Sequence, residues 1–227
     1  MKTSILTRHL ILFCILLSLR AAHCAAFTNG SFELPGGLAP NSSVNLPLGS
    51  TSLVGWTIGG TGGALGYFNG TPINEPYSPI DGSYHVGFNV GDQAAVTFLS
   101  QTFDTVVGQQ YSATFFVGRY GPGVGNPGIG AMSLTASALS SGNSSLASLQ
   151  VFPPLQGYGS MQSLSFIPTS STTTLRFLDT SLVTTSVDVL LDNVVVSTVP
   201  EPSTLGLAAF AALLVAARRV LPHASNS

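Results

Sequence analysis

Between Phe27 and Thr198 the chain holds one histidine, His85, two arginines, Arg119 and Arg176, and no lysine or cysteine. Against them stand eight carboxylates: Glu33, Glu75, Asp81, Asp92, Asp104, Asp179, Asp188 and Asp192. This inventory excludes more chemistry than it permits. A histidine-based zinc site needs several histidines, and a lysine Schiff base or a cysteine nucleophile has no residue to start from. A serine triad would have to use His85, and no Gly-x-Ser-x-Gly elbow occurs. His85 sits in the alternating stretch Ser83-Tyr-His-Val-Gly-Phe88, which predicts a half-buried or exposed strand residue. Paired carboxylates do support glycoside hydrolysis, and Asp179, Asp188 and Glu33 are the acids to consider. With eight acids in one domain such a pair is easy to draw, so no catalytic residue is assigned. The stretch has two basic and eight acidic residues, a net charge of −6, and repels phosphates; nucleic acid is excluded as a partner.

The remaining contact-making residues are aromatic. Sugar C–H faces stack on rings while nearby polar groups take the hydroxyls. Trp56, Tyr67, Phe68, Tyr77, Tyr84, Tyr120 and Tyr158 all lie near turns. Tyr67, Tyr120 and Tyr158 are the candidates for an exposed platform, whereas Trp56, the only tryptophan, is expected in the core after Gly55.

The elements that must position these groups read as strands. Tyr111–Val117, Met132–Ala136, Leu164–Phe166, Leu175–Phe177 and Val187–Leu191 alternate apolar and polar residues, the period of a strand with one buried face. Leu53–Ile58, Ser83–Asn89 and Ala95–Phe103 are further strands. Turn clusters separate them at Gly59–Gly63, Asp81-Gly82, Val107–Gln109 and Ser140–Ser145. Gly121–Gly130 is too glycine-rich to pack and reads as a mobile loop between two strands. No helical period is evident, so an antiparallel sandwich or barrel of about ten short strands is expected. The stretch spans about 170 residues, enough for one domain with a real core.

The two ends of the chain differ from this body. Lys2 and Arg8 precede the apolar stretch Leu10–Leu19, and small residues follow at Ala21–Ala26. This is the pattern of a secretory signal peptide over residues 1–26, with cleavage after Cys24 or after Ala26. A lipoprotein reading, with Cys24 acylated, is weakened by His23, where a small residue is wanted. At the other end stand Pro200-Glu201-Pro202, an uncharged run Leu205–Ala217, and the pair Arg218 and Arg219. The prolines end the folded body, and arginines after an apolar run fit the positive-inside preference. Residues 199–219 thus resemble the PEP-CTERM sorting signal of Gram-negative bacteria that make extracellular polysaccharide. The resemblance implies export, recognition by an exosortase at Pro200, Glu201 and Pro202, and an inner-membrane intermediate. Transfer to the cell surface or extracellular matrix then follows. Eight residues, 220–227, form a polar tail where the family usually stops sooner. The plainer alternatives are a single-pass anchor and a buried core helix. As a hydrophobic helix, the thirteen residues of the run reach about 20 Å against a hydrocarbon core of about 30 Å. Flanking residues and snorkelling arginines bring it close to a short transmembrane helix.

Within the body (residues 27–198), Asn29-Gly-Ser-Phe-Glu33 opens the domain and Leu190-Leu-Asp-Asn-Val-Val-Val196 closes it. Gly55-Trp56, Pro79–Gly82, Ser100–Phe103 and Gly108–Tyr111 come in order between them. This succession resembles the galactose-binding-like jelly rolls, carbohydrate-binding modules among them. The likeness implies an all-β, antiparallel jelly-roll β-sandwich whose first and last strands meet. It also implies a structural calcium (Ca2+) ion held by Glu33 and Asp192 with nearby backbone carbonyls, an oxygen-rich set of the kind calcium takes. The alternative is that Glu33 ends a strand in solvent and Asp192-Asn193 forms a bulge with its own hydrogen bonds.

Two functions follow from these features. The first is a non-catalytic cell-surface or matrix protein, associated with exopolysaccharide or biofilm. The second is a true glycan-binding module, with a glycoside hydrolase as the remoter alternative.

Overall fold

The computed structural model describes residues 25–71, 78–90, 96–121, 131–182, 184 and 187–200. Residues 1–24, 122–130 and those beyond Pro200 lie outside the described residues, so the leader, the mobile loop and the sorting segment expected there are not addressed by the fold. Among the described residues there are twelve strands, beginning with β1 (Ser42–Leu46), β2 (Thr57–Gly60), β3 (Ala64–Asn69), β4 (Tyr84–Val90), β5 (Thr97–Asp104) and β6 (Tyr111–Tyr120). The second half adds β7 (Leu134–Ser140), β8 (Ser145–Val151), β9 (Gly157–Tyr158), β10 (Gln162–Phe166), β11 (Thr172–Asp179) and β12 (Asp188–Thr198). No helix occurs among the described residues.

The strands form two antiparallel sheets. The larger runs β1-β3-β4-β12-β6-β10, with the short β9 also on β6, and the smaller runs β2-β5-β11-β7-β8. The last strand therefore sits in the middle of the larger sheet, between β4 and β6. Strands β6 and β11 follow their sequence period, with alternate residues buried from Tyr111 to Val117 and from Thr173 to Asp179. Their inward residues meet across the sandwich. Phe115 and Phe177, both fully buried, pack edge to face with centroids 5.0 Å apart. Tyr111, Ala113, Val117, Leu175, Val187, Val189 and Leu191 join the same core, as their alternation predicts. Trp56 is buried there too, its ring 5.5 Å from Phe32 and 6.2 Å from Phe177.

Three expectations are corrected. The predicted strand Leu53–Ile58 begins only at Thr57, because Gly55 takes φ +83° and Trp56 N–H closes a turn on the Leu53 carbonyl at 3.0 Å. The strand around Val187–Leu191 was expected to bury one face; here Asp188 and Leu190 are buried as well as Val189 and Leu191. The centre of the larger sheet is thus covered on both sides, which suppresses any polar alternation. His85, expected at least half exposed, is fully buried on the face of this sheet turned away from the core.

That outer face is packed by small residues facing large ones. Leu190 pairs with Gly87 on β4 and with Gly118 on β6. A Cβ on Gly87 would stand 2.8 Å from the Phe68 ring, and one on Gly118 would stand 2.9 Å from the Tyr158 ring. The two glycines let these aromatic rings lie down on the sheet. Phe68 contacts His85 edge to face at 5.4 Å and stacks on Tyr120 at 6.0 Å.

Candidate functional site

The opening motif, Asn29 to Glu33, is a knot of backbone capping. Asn29 holds φ +52°; its side-chain amide donates to the carbonyls of Leu34 and Val54 at 2.8 and 2.9 Å, and its Oδ1 accepts from Leu34 N–H at 2.9 Å. Asparagine tolerates this left-handed backbone and supplies both donor and acceptor. The Asn29 carbonyl accepts the Trp56 indole N–H at 2.9 Å, which explains why the tryptophan is placed in the core with its one polar atom satisfied. Gly30 meets the closing strand directly, its carbonyl accepting Val194 N–H at 2.9 Å. A Cβ there would collide with the Val194 carbonyl oxygen, so glycine is required by the close approach of two backbones. The expectation that the first and last strands meet is corrected: β1 lies at the sheet edge with β3 and β4 between it and β12, and it is the irregular segment before β1, at Gly30, that touches the last strand.

Glu33 and Asp192 converge on one turn between them. Glu33 Oε1 accepts from Ser83 and Tyr84 N–H at 2.7 and 2.8 Å. Asp192 Oδ2 accepts from Ile80 and Asp81 N–H at 2.6 and 3.2 Å, and its Oδ1 accepts from Asn193 N–H at 2.6 Å. Asn193 takes φ +50° at a bulge in β12 between Asp192 and Val195. Gly82, at φ +68°, leaves room for the Glu33 carboxylate, with which a side chain would clash. Asp192 is fully buried, and burial pushes its carboxyl up to about 7 although three backbone N–H bonds pull the other way.

Calcium asks for six to eight oxygen donors. Both Asp192 oxygens and one Glu33 oxygen already accept backbone N–H bonds. Among the described residues no group of three or more His, Cys, Asp or Glu gathers to hold a metal. As folded, the two carboxyl groups hold the turn.

The three aromatic candidates separate. Tyr67 is no exposed platform: it is buried on the core side, its hydroxyl donating to the Phe32 carbonyl at 2.9 Å and accepting from Gly36 N–H at 3.2 Å. Burial pushes that phenol up to about 12. Its alternation with Leu65 on β3 was masked because both faces of that strand are buried. Tyr120 and Tyr158 share the outer face of the larger sheet and are half-buried there. The Tyr158 hydroxyl lies 2.7 Å from His85 Nδ1, and the other ring nitrogen, Nε2, is buried without a hydrogen-bond partner. Burial holds His85 down at about 4, so the imidazole is neutral.

The acids considered for hydrolysis stand on separate elements. Glu33 precedes β1, Asp179 ends β11 in the smaller sheet, and Asp188 begins β12 in the larger. Glu33 is engaged by the turn and Asp179 by Ser181 N–H at 2.9 Å. Of the sorting residues only Pro200 is described; Glu201, Pro202, Arg218 and Arg219 lie beyond.

Comparison with protein families matches residues 198–220 to the PEP-CTERM protein-sorting motif. A comparison with curated proteins finds no match to this sequence. In three dimensions the chain is similar to the Stig cyclase Fisc from Fischerella sp. TAU, at 17% identity and TM-score 0.56, over 78% of this chain and 98% of that one. It is also similar to TmCBM61 in complex with β-1,4-galactotriose, at 15% identity and TM-score 0.51, over 77% and 99% of the two chains. The likeness is one of fold: a β-sandwich of the carbohydrate-binding-module type.

Proposed function

We propose that this chain, exported under a PEP-CTERM signal at its C-terminal end, is a non-catalytic β-sandwich that an exosortase releases to the cell surface or extracellular matrix, in association with polysaccharide. The observation that carries this reading is the direct join between domain and signal. The closing strand β12 runs to Thr198, the first residue matched by the sorting motif. The sandwich is therefore the body that the signal delivers. A body without lysine and rich in uncharged polar residues suits display outside the cell, and the assigned carboxyl groups support the backbone. Replacing Pro200, Glu201 and Pro202 together with alanine is expected to leave the chain in the membrane fraction with Leu205–Ala217 attached. Mass spectrometry of the released wild-type protein that still contained this run would overturn the exosortase step.

The alternative within the same frame is sugar recognition on the outer face of the larger sheet. It is favoured by the placement of Tyr120 and Tyr158 there, beside His85 and Phe68. Retention of the released protein on immobilised polysaccharide, lost in Tyr120→Ala or Tyr158→Ala, would select this reading. Absence of retention on any glycan leaves the structural one.

A further inference from the structure

We propose that the bond cut on export is Cys24–Ala25, and that the α-ammonium released on Ala25 pairs with the carboxylate of Asp104. The inference rests on reading residues 1–24 as a cleaved secretory leader, and it decides between the two cleavage points which that leader allows.

The segment after the leader is laid along β5 by reciprocal hydrogen bonds. Ala25 N–H donates to Asp104 Oδ2 at 2.6 Å, and Asp104 N–H donates back to the Ala25 carbonyl at 2.9 Å. Three residues on, Thr28 N–H donates to Gln101 Oε1 at 2.7 Å, and Gln101 Nε2 returns a bond to the Thr28 carbonyl at 2.9 Å. Between these two clamps the Phe27 ring packs edge to face on Trp56 and Phe103 at 5.6 and 5.5 Å. Cleavage after Ala26 would remove the whole Asp104 clamp and leave Phe27 as the terminus. Both cuts place small residues at the positions where leader cleavage wants them, Ala22 and Cys24 or Cys24 and Ala26; only the cut after Cys24 keeps both clamps.

The chemistry is a hydrolysis. Water adds across the Cys24–Ala25 amide: the C–N bond breaks, the hydroxyl stays on the Cys24 carbonyl carbon, and the nitrogen leaves as an amine. That amine takes a proton at neutral pH and becomes an ammonium. An amide N–H already aimed at a carboxylate oxygen is thereby converted into a cation at the same place, strengthening the bond it makes. The opposite end of the body is tied down close by in sequence. Val199 N–H donates to the Gln110 carbonyl at 2.8 Å and Gln109 Nε2 donates to the Val199 carbonyl at 3.0 Å. The single stretch 104–110 therefore holds both ends of the processed body.

The test is the N-terminus of the protein recovered after export by its own host, read by mass spectrometry. A chain beginning at Ala25 is expected. A chain beginning at Phe27 would overturn the proposal while the leader reading stands, as would an acylated Cys24. A chain retaining Met1 would overturn both. The ion pair has its own readout: the Ala25 α-ammonium should titrate above the ordinary α-amino range of about 8, and Asp104→Asn, cut at the same bond, should bring it back. An α-amine that titrates identically in both proteins would refute the pairing.

Discussion

Glu33 and Asp192, from the first and last segments of the sandwich, grip the two ends of one five-residue turn. Asp192 takes the N–H groups of Ile80 and Asp81, and Glu33 takes those of Ser83 and Tyr84. Two carboxyl groups thus replace the sheet partners that the turn lacks, and they do so from opposite ends of the sequence. Domain closure is built into these four bonds together with the Gly30–Val194 contact.

Breaking either grip should therefore loosen the other. Hydrogen bonds to charged groups contribute about 1.5–3 kcal/mol each, and a neutral amide keeps only part of that. Glu33→Gln and Asp192→Asn should each lower unfolding free energy by about 1–3 kcal/mol. Because they hold one turn, the double variant should cost less than the sum. Urea denaturation of the four proteins measures this coupling, and strictly additive losses would show that the turn is not a shared element.

The same geometry sets an expectation for metal. With three of the four carboxyl oxygens already engaged by N–H donors, the melting temperature should be the same in chelator and in millimolar calcium. A binding ion at a hundredfold excess over its dissociation constant would add about 2.7 kcal/mol. A chelator-dependent drop, abolished in Glu33→Gln, would show that calcium displaces those donors after all.

His85 gives a pH dependence with a definite sign. Its folded value of about 4 lies below its ordinary 6.5 because the ring is buried. The folded state then binds fewer protons than the unfolded one, so stability is full above 6.5, falls as pH falls below it, and its His85 share is gone once pH is below 4. The share is about 3 kcal/mol at 1.36 kcal/mol per unit. His85→Phe removes it, while Asp192, which drifts the opposite way with pH, cancels in the comparison. Parallel stability–pH curves for the two proteins would contradict a neutral buried imidazole.

In the core, Phe115→Ala should cost about 3–5 kcal/mol. The ring is fully buried against Phe177 of the facing sheet, so neither sheet can close the void alone. A loss under about 1 kcal/mol, read from guanidinium melts, would mean that the two faces do not pack as described.

Several strands were legible because their chemistry is local. Alternation in β6 and β11 reports a strand with one wet side, and Tyr111–Val117 and Leu175–Phe177 land where that period puts them. Other elements escaped for stated reasons. β1 and β8 are mostly polar or exposed sheet-edge strands, and β3 is buried on both faces from Leu65 to Phe68, so none shows a clean period. The misplacement of Tyr67 has the same cause, since neighbouring turns say nothing of which face a residue joins.

By itself the sequence determined the class of the fold, most of its inward face, and the export signal, because each is written in residues close together along the chain. Tertiary structure alone decided what Glu33, Asp192 and His85 do. Glu33 and Asp192 receive their partners from the turn at 80–84. His85 is buried by a second packing layer on the sheet's far side. Such contacts depend on which strands become neighbours, and no local spacing records that.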